Sequence, residues 1–302
     1  MQRGFLINDG VLEKYLGEDE VVIIPDGVTE IGEDAFSENE KIKSVIIGEG
    51  VRCIDSLAFY GCKSLSHLEI GNGVDWICES AFYGCDSLCY NEFDNALYLG
   101  NKANPYTVLA RARDKEIPLC KIHKGTKIIH GSAFFGCKAI KTIDIPTGVI
   151  AIGGSAFFDC DSLCEVSIPP TARYIGREAF CCCKNLSSIT ITASVRVIED
   201  KTFEFCKALS TVTLCEGIEF IGEGAFSRCE SLSHVEIPRS VAVIMEDAFY
   251  GCASLLSVVI PRTVTEIGDF AFDGCNDVVI IGAVGSVAHK YARDNSMKFA
   301  AI

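Results

Sequence analysis

The sequence contains no long apolar run, and its charges are far from balanced. No stretch approaches the roughly 20 consecutive apolar residues that a membrane-spanning helix needs, so we expect no membrane insertion. Lys and Arg number 27 against 41 Asp and Glu, which gives a formal net charge of −14. Nucleic acids and anionic lipids bind clustered Lys and Arg, so we expect no nucleic-acid partner for this acidic chain.

Sequence motifs for export and for catalysis are also missing. The first residues, MQRGFLINDGVLEKYLGEDE, lack the apolar segment of a secretory signal peptide. The five histidines form no H-E-x-x-H motif, and no G-x-S-x-G or P-loop sequence is present. We therefore expect no enzyme activity and no cofactor.

Cysteine is abundant, but its spacing does not suit a disulfide framework or a zinc site. An odd count of 17 in a chain of 302 residues differs from small secreted disulfide proteins, and no two cysteines are three positions apart. Many free thiols favour a reducing compartment. The run Cys181–Cys183 before Lys184 leaves a thiol or metal protein as a remote alternative, because reactive thiols need positive surroundings.

A 23-residue repeat organises the chain. The dipeptide Ala-Phe, or a close variant, ends at Phe36, Phe59, Phe82, Phe134, Phe157, Phe180, Phe203, Phe226, Phe249 and Phe272. Every gap is 23 residues except 134 − 82 = 52, which leaves 52 − 23 = 29 additional residues in one place. This regularity predicts about ten coils with one interruption.

Each repeat carries the same apolar positions, as in LSHVEIPRSVAVIMEDAFYGC at residues 232–252. The alternation of Val235 and Ile237 predicts a short strand, which Pro238 ends because it has no N–H to donate. A-F-x-x-C predicts a helical or 3₁₀ turn that places Phe and Cys on one side. A single coil buries too little to fold alone, so we predict stacked coils with one continuous core and a parallel sheet.

Nine cysteines lie three residues after the repeat Phe: Cys62, Cys85, Cys137, Cys160, Cys183, Cys206, Cys229, Cys252 and Cys275. We predict that they form a ladder of buried free thiols. In-register side chains point the same way, which disfavours the dihedral angle near 90° that a disulfide needs. Cys183 therefore has a packing role, whereas Cys181 and Cys182 occupy variable turn positions.

The unit IPTGVIAIGGSAFFDCDSLCEV at residues 145–166 resembles the BspA-like leucine-rich repeat family. The resemblance extends over about residues 21–283 apart from the interruption. It implies a leucine-rich repeat solenoid with a parallel β-sheet on one face and short turns, 3₁₀ or helical, on the other. It also implies an adhesion or interaction module without enzyme activity, often located on bacterial surfaces. The missing signal peptide and the free thiols indicate the cytoplasm instead.

We predict a single domain over residues 1–302. Its parts are an N-terminal cap at 1–20, repeats at 21–92, an inserted β-hairpin at 93–121, repeats at 122–283 and a C-terminal capping segment at 284–302. We expect the hairpin to project from the solenoid. Ser286 opens SVAHKYARDN as an N-cap, which predicts a helix that covers the last coil.

Outward residues of the predicted strands form a polar surface that we call the strip. It consists of His67, Glu69, Thr142, Asp144, Glu165, Ser167, Ser188, Thr190, Thr211, Thr213, His234, Glu236 and Ser257. Ser and Thr also suit a merely solvated sheet. Stacked repeats commonly bind partners through such a surface, so the strip predicts a protein or extracellular-matrix partner. An intracellular regulatory scaffold is the alternative function.

Overall fold

A computed structural model describes residues 4–302. The first strands are β1 (Phe5–Asn8), β2 (Val11–Tyr15), β3 (Val21–Ile23), β4 (Glu30–Ile31), β5 (Ser44–Ile47), β6 (Cys53–Ile54), β7 (His67–Ile70), β8 (Trp76–Ile77), β9 (Asn91–Phe93), β10 (Ala96–Leu99), β11 (Val108–Ala112), β12 (Ile128–Ile129) and β13 (Thr142–Asp144). They are followed by β14 (Ala151–Ile152), β15 (Glu165–Ser167), β16 (Tyr174–Ile175), β17 (Ser188–Ile191), β18 (Val197–Ile198), β19 (Thr211–Leu214), β20 (Phe220–Ile221), β21 (His234–Glu236), β22 (Val243–Ile244), β23 (Ser257–Ile260), β24 (Glu266–Ile267), β25 (Val279–Gly282), α1 (Val287–Asp294) and β26 (Lys298–Ala301).

Each coil contributes one longer strand of three or four residues and one short strand of two, such as β21 and β22. Equivalent strands of neighbouring coils pair in parallel, as Ser188 does with Thr211 in β17 and β19. The predicted parallel solenoid is confirmed, but it has about 13 turns rather than ten. The count was low because the hairpins β1–β2 and β10–β11 and the last turn lack the Ala-Phe motif.

The Ala-Phe corner is a tight turn built on left-handed residues, not the 3₁₀ or helical turn that we expected. In the coil of Phe157, Ser155 has φ 52° and Asp159 has φ 57°. The Cys160 N–H donates to the Phe157 carbonyl oxygen over 3.3 Å, which closes the corner. A left-handed residue before the corner and another within it prevent a helix from continuing. Among residues 4–302, α1 is the one helix.

The repeat phenylalanines form two columns, so the predicted single continuous core is wrong. In one column Phe36 stacks on Phe59 at 4.8 Å between ring centroids, and Phe59 stacks on Phe82 at 5.7 Å. In the other column, from Phe134 to Phe272, neighbouring centroids are 5.1–5.5 Å apart and the ring planes lie within 9° of parallel. The buried residues also form two clusters, and the cluster around the first column includes Leu99, Val108, Ile128 and Ala151 from beyond residue 90. We call residues 4–90 the first block and residues 91–302 the second block.

The insertion begins the second block with a hairpin built like the N-terminal one. Antiparallel β10 and β11 carry one register shift, as β1 and β2 do. β11 then pairs in parallel with β12 through Val108 and Ile128, just as β2 pairs with β4 through Val11 and Glu30. The hairpin therefore lies within the sheet instead of projecting from it, because Val108 and its neighbour Leu109 are fully buried.

The last coil of the first block leans against the short strands of the second. Glu79 lies so close to Gly131 and Gly154 that a Cβ atom at either glycine would collide with it. The Trp76 ring packs beside the Tyr174 ring, with 5.7 Å between centroids. In the other eight coils the repeat position of these glycines holds Glu33, Ser56, Glu79, Arg177, Asp200, Glu223, Glu246 and Asp269. Gly therefore stands only in the two coils on which Glu79 rests.

Both ends of the solenoid are closed by tyrosine. At the N-terminal end the Tyr15 ring lies 5.4 Å from the Phe36 ring. At the C-terminal end the predicted helix is confirmed, since the Ser286 hydroxyl accepts the His289 N–H and the Tyr291 ring covers Phe272 at 5.8 Å. Strand β26, which pairs with β25, was not predicted. No helix among residues 4–302 has the length and apolar character needed to span a bilayer.

Candidate functional site

The strip residues lie on the longer strands, where backbone alternation turns them away from the core. On β15, for example, Val166 is buried while Glu165 and Ser167 are exposed. Eleven of the thirteen strip residues are exposed; Glu69 and Ser257 are half-buried. The strands thus place each side chain as the period-two pattern predicted.

Parallel pairing brings strip residues of neighbouring coils side by side. Thr142 lies beside Glu165 and Asp144 beside Ser167 on β13 and β15. Four hydroxyl side chains meet in the next pair of strands, where Ser188 neighbours Thr211 and Thr190 neighbours Thr213. On β21 and β23 the His234 Nδ1 lies 2.8 Å from the Ser257 Oγ, within hydrogen-bond distance.

His67 and Glu69 are not brought together with the rest of the strip. They lie on β7 in the first block, and Glu69 is bridged to Gly100 of the insertion rather than to β13. His67 Nε2 and Lys102 Nζ both lie 3.2 Å from Glu69 Oε1. The hydrogen bond with His67 and, less strongly, the Lys102 ammonium lower the pKa of Glu69. The strip is therefore two surfaces, one on each block.

A groove lies on the strip between β19 and β21, which do not pair as a sheet; β15 and β17 do not pair either. The groove has a volume of about 320 Å³, and its walls include the strip residues Thr213, His234 and Glu236. Across β17 and β19 the Cys215 N–H donates to the carbonyl oxygen of Ile191 over 3.1 Å. Pro238 stands at the same position one coil later and has no N–H, so the equivalent bond cannot form.

The groove includes residues that the sequence did not single out. Val212 and Leu214, which the repeat assigned to the core, are half-buried and line it together with Arg239. The Glu216 carboxylate accepts the backbone N–H groups of Arg239 and Ser240 at 3.1 and 3.0 Å. Proline at the position of Pro238 does not identify the groove, because Pro261 stands at the same position one coil later and β21 still pairs with β23. The groove thus offers apolar, hydroxyl and charged groups within one short stretch of sheet.

The cysteine ladder packs as predicted, and all 17 cysteines are free thiols. Cys183 donates its thiol proton to the carbonyl oxygen of Phe157, one coil earlier, over 3.1 Å. The same bond, at 3.0–3.3 Å, is made by Cys62, Cys85, Cys160, Cys206, Cys229, Cys252 and Cys275. Burial raises the pKa of Cys160 to about 12 and that of Cys183 well above its ordinary value. The thiolate needed for reactivity is thereby disfavoured.

The other two members of the cysteine run differ from each other. Cys182 is half-buried and has φ 63°, whereas Cys181 is buried, which the sequence did not predict. Their sulfur atoms are 3.6 Å apart, and burial raises the pKa of both thiols. Within residues 4–302 no group of three or more His, Cys, Asp or Glu side chains is placed to hold a metal ion.

Comparison with known proteins gives a family model and several solved structures. The model described as a BspA type leucine rich repeat region matches six copies over residues 15–109, 114–233 and 220–287. A leucine-rich repeat protein from Eubacterium ventriosum is 22% identical, with 87% of this chain and 88% of that chain covered and a TM-score of 0.56.

Two other solved structures cover nearly all of this chain. A leucine-rich repeat protein from Bacteroides ovatus is 22% identical over 100% of this chain and 96% of that one, with a TM-score of 0.46. A leucine rich cell surface protein from Faecalibacterium prausnitzii is 23% identical over 95% and 94%, with a TM-score of 0.34. The comparison with curated proteins found no match.

Proposed function

Because the chain belongs to the BspA-type leucine-rich repeat family, we propose that it is a non-enzymatic scaffold that binds a protein or extracellular-matrix partner. The partner docks on the second-block part of the strip, centred on the groove between β19 and β21. The observation that carries this proposal is the groove itself, since it places half-buried Val212 and Leu214 among the polar side chains of the strip. Apolar groups surrounded by polar ones are typical of the core and rim of an interface.

The groove also offers a way to read a partner's charge and hydrogen-bonding groups. Glu236 and Arg239 put opposite charges on its lining, and Thr213 and His234 add hydrogen-bonding side chains. Such groups add selectivity and speed of association rather than raw affinity. We therefore expect one or a few specific partners rather than nonspecific binding.

Capture by the immobilised full chain tests the proposal. Envelope, cytoplasmic and matrix extracts are each passed over wild type, over the double variant Thr213→Arg with Glu236→Arg, and over the control Glu266→Arg. Glu266 is exposed on the short strand β24, so its variant makes the same charge reversal away from the groove. We expect a protein that binds wild type and the control but not the double variant. Recovery of nothing above background, or of the same proteins by all three, contradicts the proposal.

A second candidate is a regulatory scaffold inside the cell, which the 17 free thiols favour because they suit a reducing compartment. Cell fractionation separates the two candidates. Protein found in the envelope or the medium excludes the intracellular role, and protein confined to the cytoplasm excludes adhesion.

A further inference from the structure

Neighbouring coils are joined at the Ala-Phe corner by backbone hydrogen bonds that run in one direction. The Phe59 N–H donates to the carbonyl oxygen of Ala81 over 2.8 Å, and the Gly61 N–H donates to that of Tyr83 over 2.9 Å. Phe82 and Gly84 occupy the same two positions in the next coil. Neither of their N–H groups has a hydrogen-bond acceptor among residues 4–302. Two N–H donors of the ladder therefore lack the next coil, whose carbonyl oxygens would accept them.

The aromatic column of the first block stops at the same place. Tyr15 and Tyr291 cover the two outer ends of the solenoid, but Phe82 is only half-buried, with His130 at 5.8 Å on one side. Beyond Phe82 lies a cavity of about 510 Å³. Its lining includes Phe82, Tyr83, Gly84, Asp86, Tyr90 and Arg111. We call this cavity the open rung.

The walls of the open rung suit a flat ring. The Arg111 guanidinium lies over the Tyr90 ring, 5.1 Å from its centroid, so one wall is a cation–π pair. Tyr83 stands at the rim with 69% of its surface exposed. Gly84 has no side chain to fill the cavity that it lines. Phe82 supplies the ring face and the two N–H groups supply hydrogen-bond donors.

We propose that the open rung binds a polypeptide segment of a partner protein that carries a Phe or Tyr side chain. Its ring continues the column on Phe82, where rings repeat every 4.8–5.7 Å, and its backbone carbonyl groups accept the N–H groups of Phe82 and Gly84. Adding a backbone segment to an unfinished ladder is a recurrent mode of peptide recognition. Aromatic stacking then selects the side chain.

This site goes beyond the proposed function, because the open rung shares no residue with the strip. The linings of the groove and the open rung share no residue, so the two sites can be tested separately. Failure of the open rung leaves the groove proposal standing, and the reverse also holds.

The minimal probe is N-acetyl-L-phenylalaninamide, which has the ring and two carbonyl groups, with N-acetyl-L-alaninamide as its ringless counterpart. Each is titrated into the ¹⁵N-labelled full chain while amide resonances are followed by NMR. We expect saturable shifts at the amides of Phe82 and Gly84 with the phenylalanine probe, and about tenfold weaker binding of the alanine probe, since removing the ring costs about 1.4 kcal/mol.

A matched pair of variants separates the site from unspecific contact with exposed aromatic rings. Tyr83 and Tyr250 stand in the same pentapeptide, AFYGC, but only Tyr83 lines the open rung. Tyr83→Ala combined with Arg111→Gln is expected to weaken binding of the phenylalanine probe about tenfold. Tyr250→Ala should leave it unchanged.

Four results would overturn the proposal. The first is equal binding of the two probes, and the second is equal binding by the two variants. The third is slow hydrogen exchange at Phe82 and Gly84 in the free protein, since protection matching that of Phe59 and Gly61 means that the donors are already bonded. A linear peptide centred on Phe that binds no better than the free amide would show that the site takes small aromatic molecules rather than polypeptide, which also contradicts it.

Discussion

The two blocks of the solenoid begin alike and end differently. Each begins with a hairpin whose second strand pairs in parallel with a short strand, β2 with β4 and β11 with β12. The second block ends under α1 and β26, whereas the first ends at Phe82, partly supported by the second block and partly open. The repeat therefore determines how one coil stacks on the next, and the segments outside the repeat determine where a stack starts and stops.

The largest expected effect contrasts the interior of a column with its open end. Phe203→Ala should lower the free energy of unfolding by about 3–5 kcal/mol, because a fully buried ring leaves a cavity between two neighbours. Phe82→Ala should cost clearly less, since Phe82 is half-buried and stacks on one phenylalanine only. Urea denaturation followed by circular dichroism measures both. Equal losses would mean that the column is not interrupted at Phe82.

The next expected effect concerns the contact between the blocks, which an added methyl group should disrupt. Gly131→Ala should destabilise the protein by about 1–3 kcal/mol, because the added Cβ collides with Glu79 and overpacks the junction. Glu246→Ala is the control, since the exposed Glu246 occupies the same repeat position away from the junction and should change stability by less than about 0.5 kcal/mol. The fluorescence of Trp76, the single tryptophan, reports the transition at the junction. A silent Gly131→Ala would show that the blocks do not meet there.

Within the second block, the cysteine run compares a ladder position with a turn position. Cys183→Ser should cost about 1–3 kcal/mol, because it buries a hydroxyl whose shorter bond reaches the Phe157 carbonyl less well. Cys182→Ser should be nearly silent, since that side chain is half-buried and outside the ladder. Thermal unfolding of both variants beside wild type decides the point. Equal destabilisation would assign the two cysteines the same role.

The smallest expected effect is a loss of stability at acidic pH through His130, which lies at the junction between the blocks. Burial lowers the pKa of His130, so the folded protein keeps the ring neutral while the unfolded chain protonates it below about pH 6.5. The stability contributed by the neutral ring is complete above that pH and is lost as the pH falls, by no more than about 1.4 kcal/mol per pH unit. The Trp76 unfolding midpoint should fall between pH 7 and pH 5 more in wild type than in His130→Asn. Parallel curves for the two proteins would contradict this.

Features that depend on the spacing within one coil could be predicted from the sequence. Features that depend on which segment packs against a coil could not. The inward Phe203, the thiol of Cys183 and the cap at Ser286 follow from local spacing, and all three lie where the repeat places them. The pentapeptide AFYGC occurs at residues 58–62, 81–85 and 248–252, yet its Phe has two environments, half-buried at Phe82 and fully buried at Phe59 and Phe249. No local pattern distinguishes the two, because the coil that would cover Phe82 is replaced by the hairpin.

The candidate site was predicted to a similar extent. Alternation identified the outward side chains, but not the loss of pairing between β19 and β21 or the isolation of His67 and Glu69 on the first block. Proline does not account for the first, since β21 and β23 pair although Pro261 stands where Pro238 does, and the second depends on the path of the insertion. Whether the strip binds a partner stays a prediction.

The two glycines beneath Glu79 limit how this protein could change its length during evolution. A duplicated repeat beyond Tyr174 would lengthen the second block by about 5 Å, one strand spacing, and would leave the joint between the blocks untouched. A duplication between Gly131 and Gly154 would bring a different pair of coils beneath Glu79. Whole repeats can therefore be added beyond Tyr174, while the number of coils between the hairpin and Tyr174 must stay as it is.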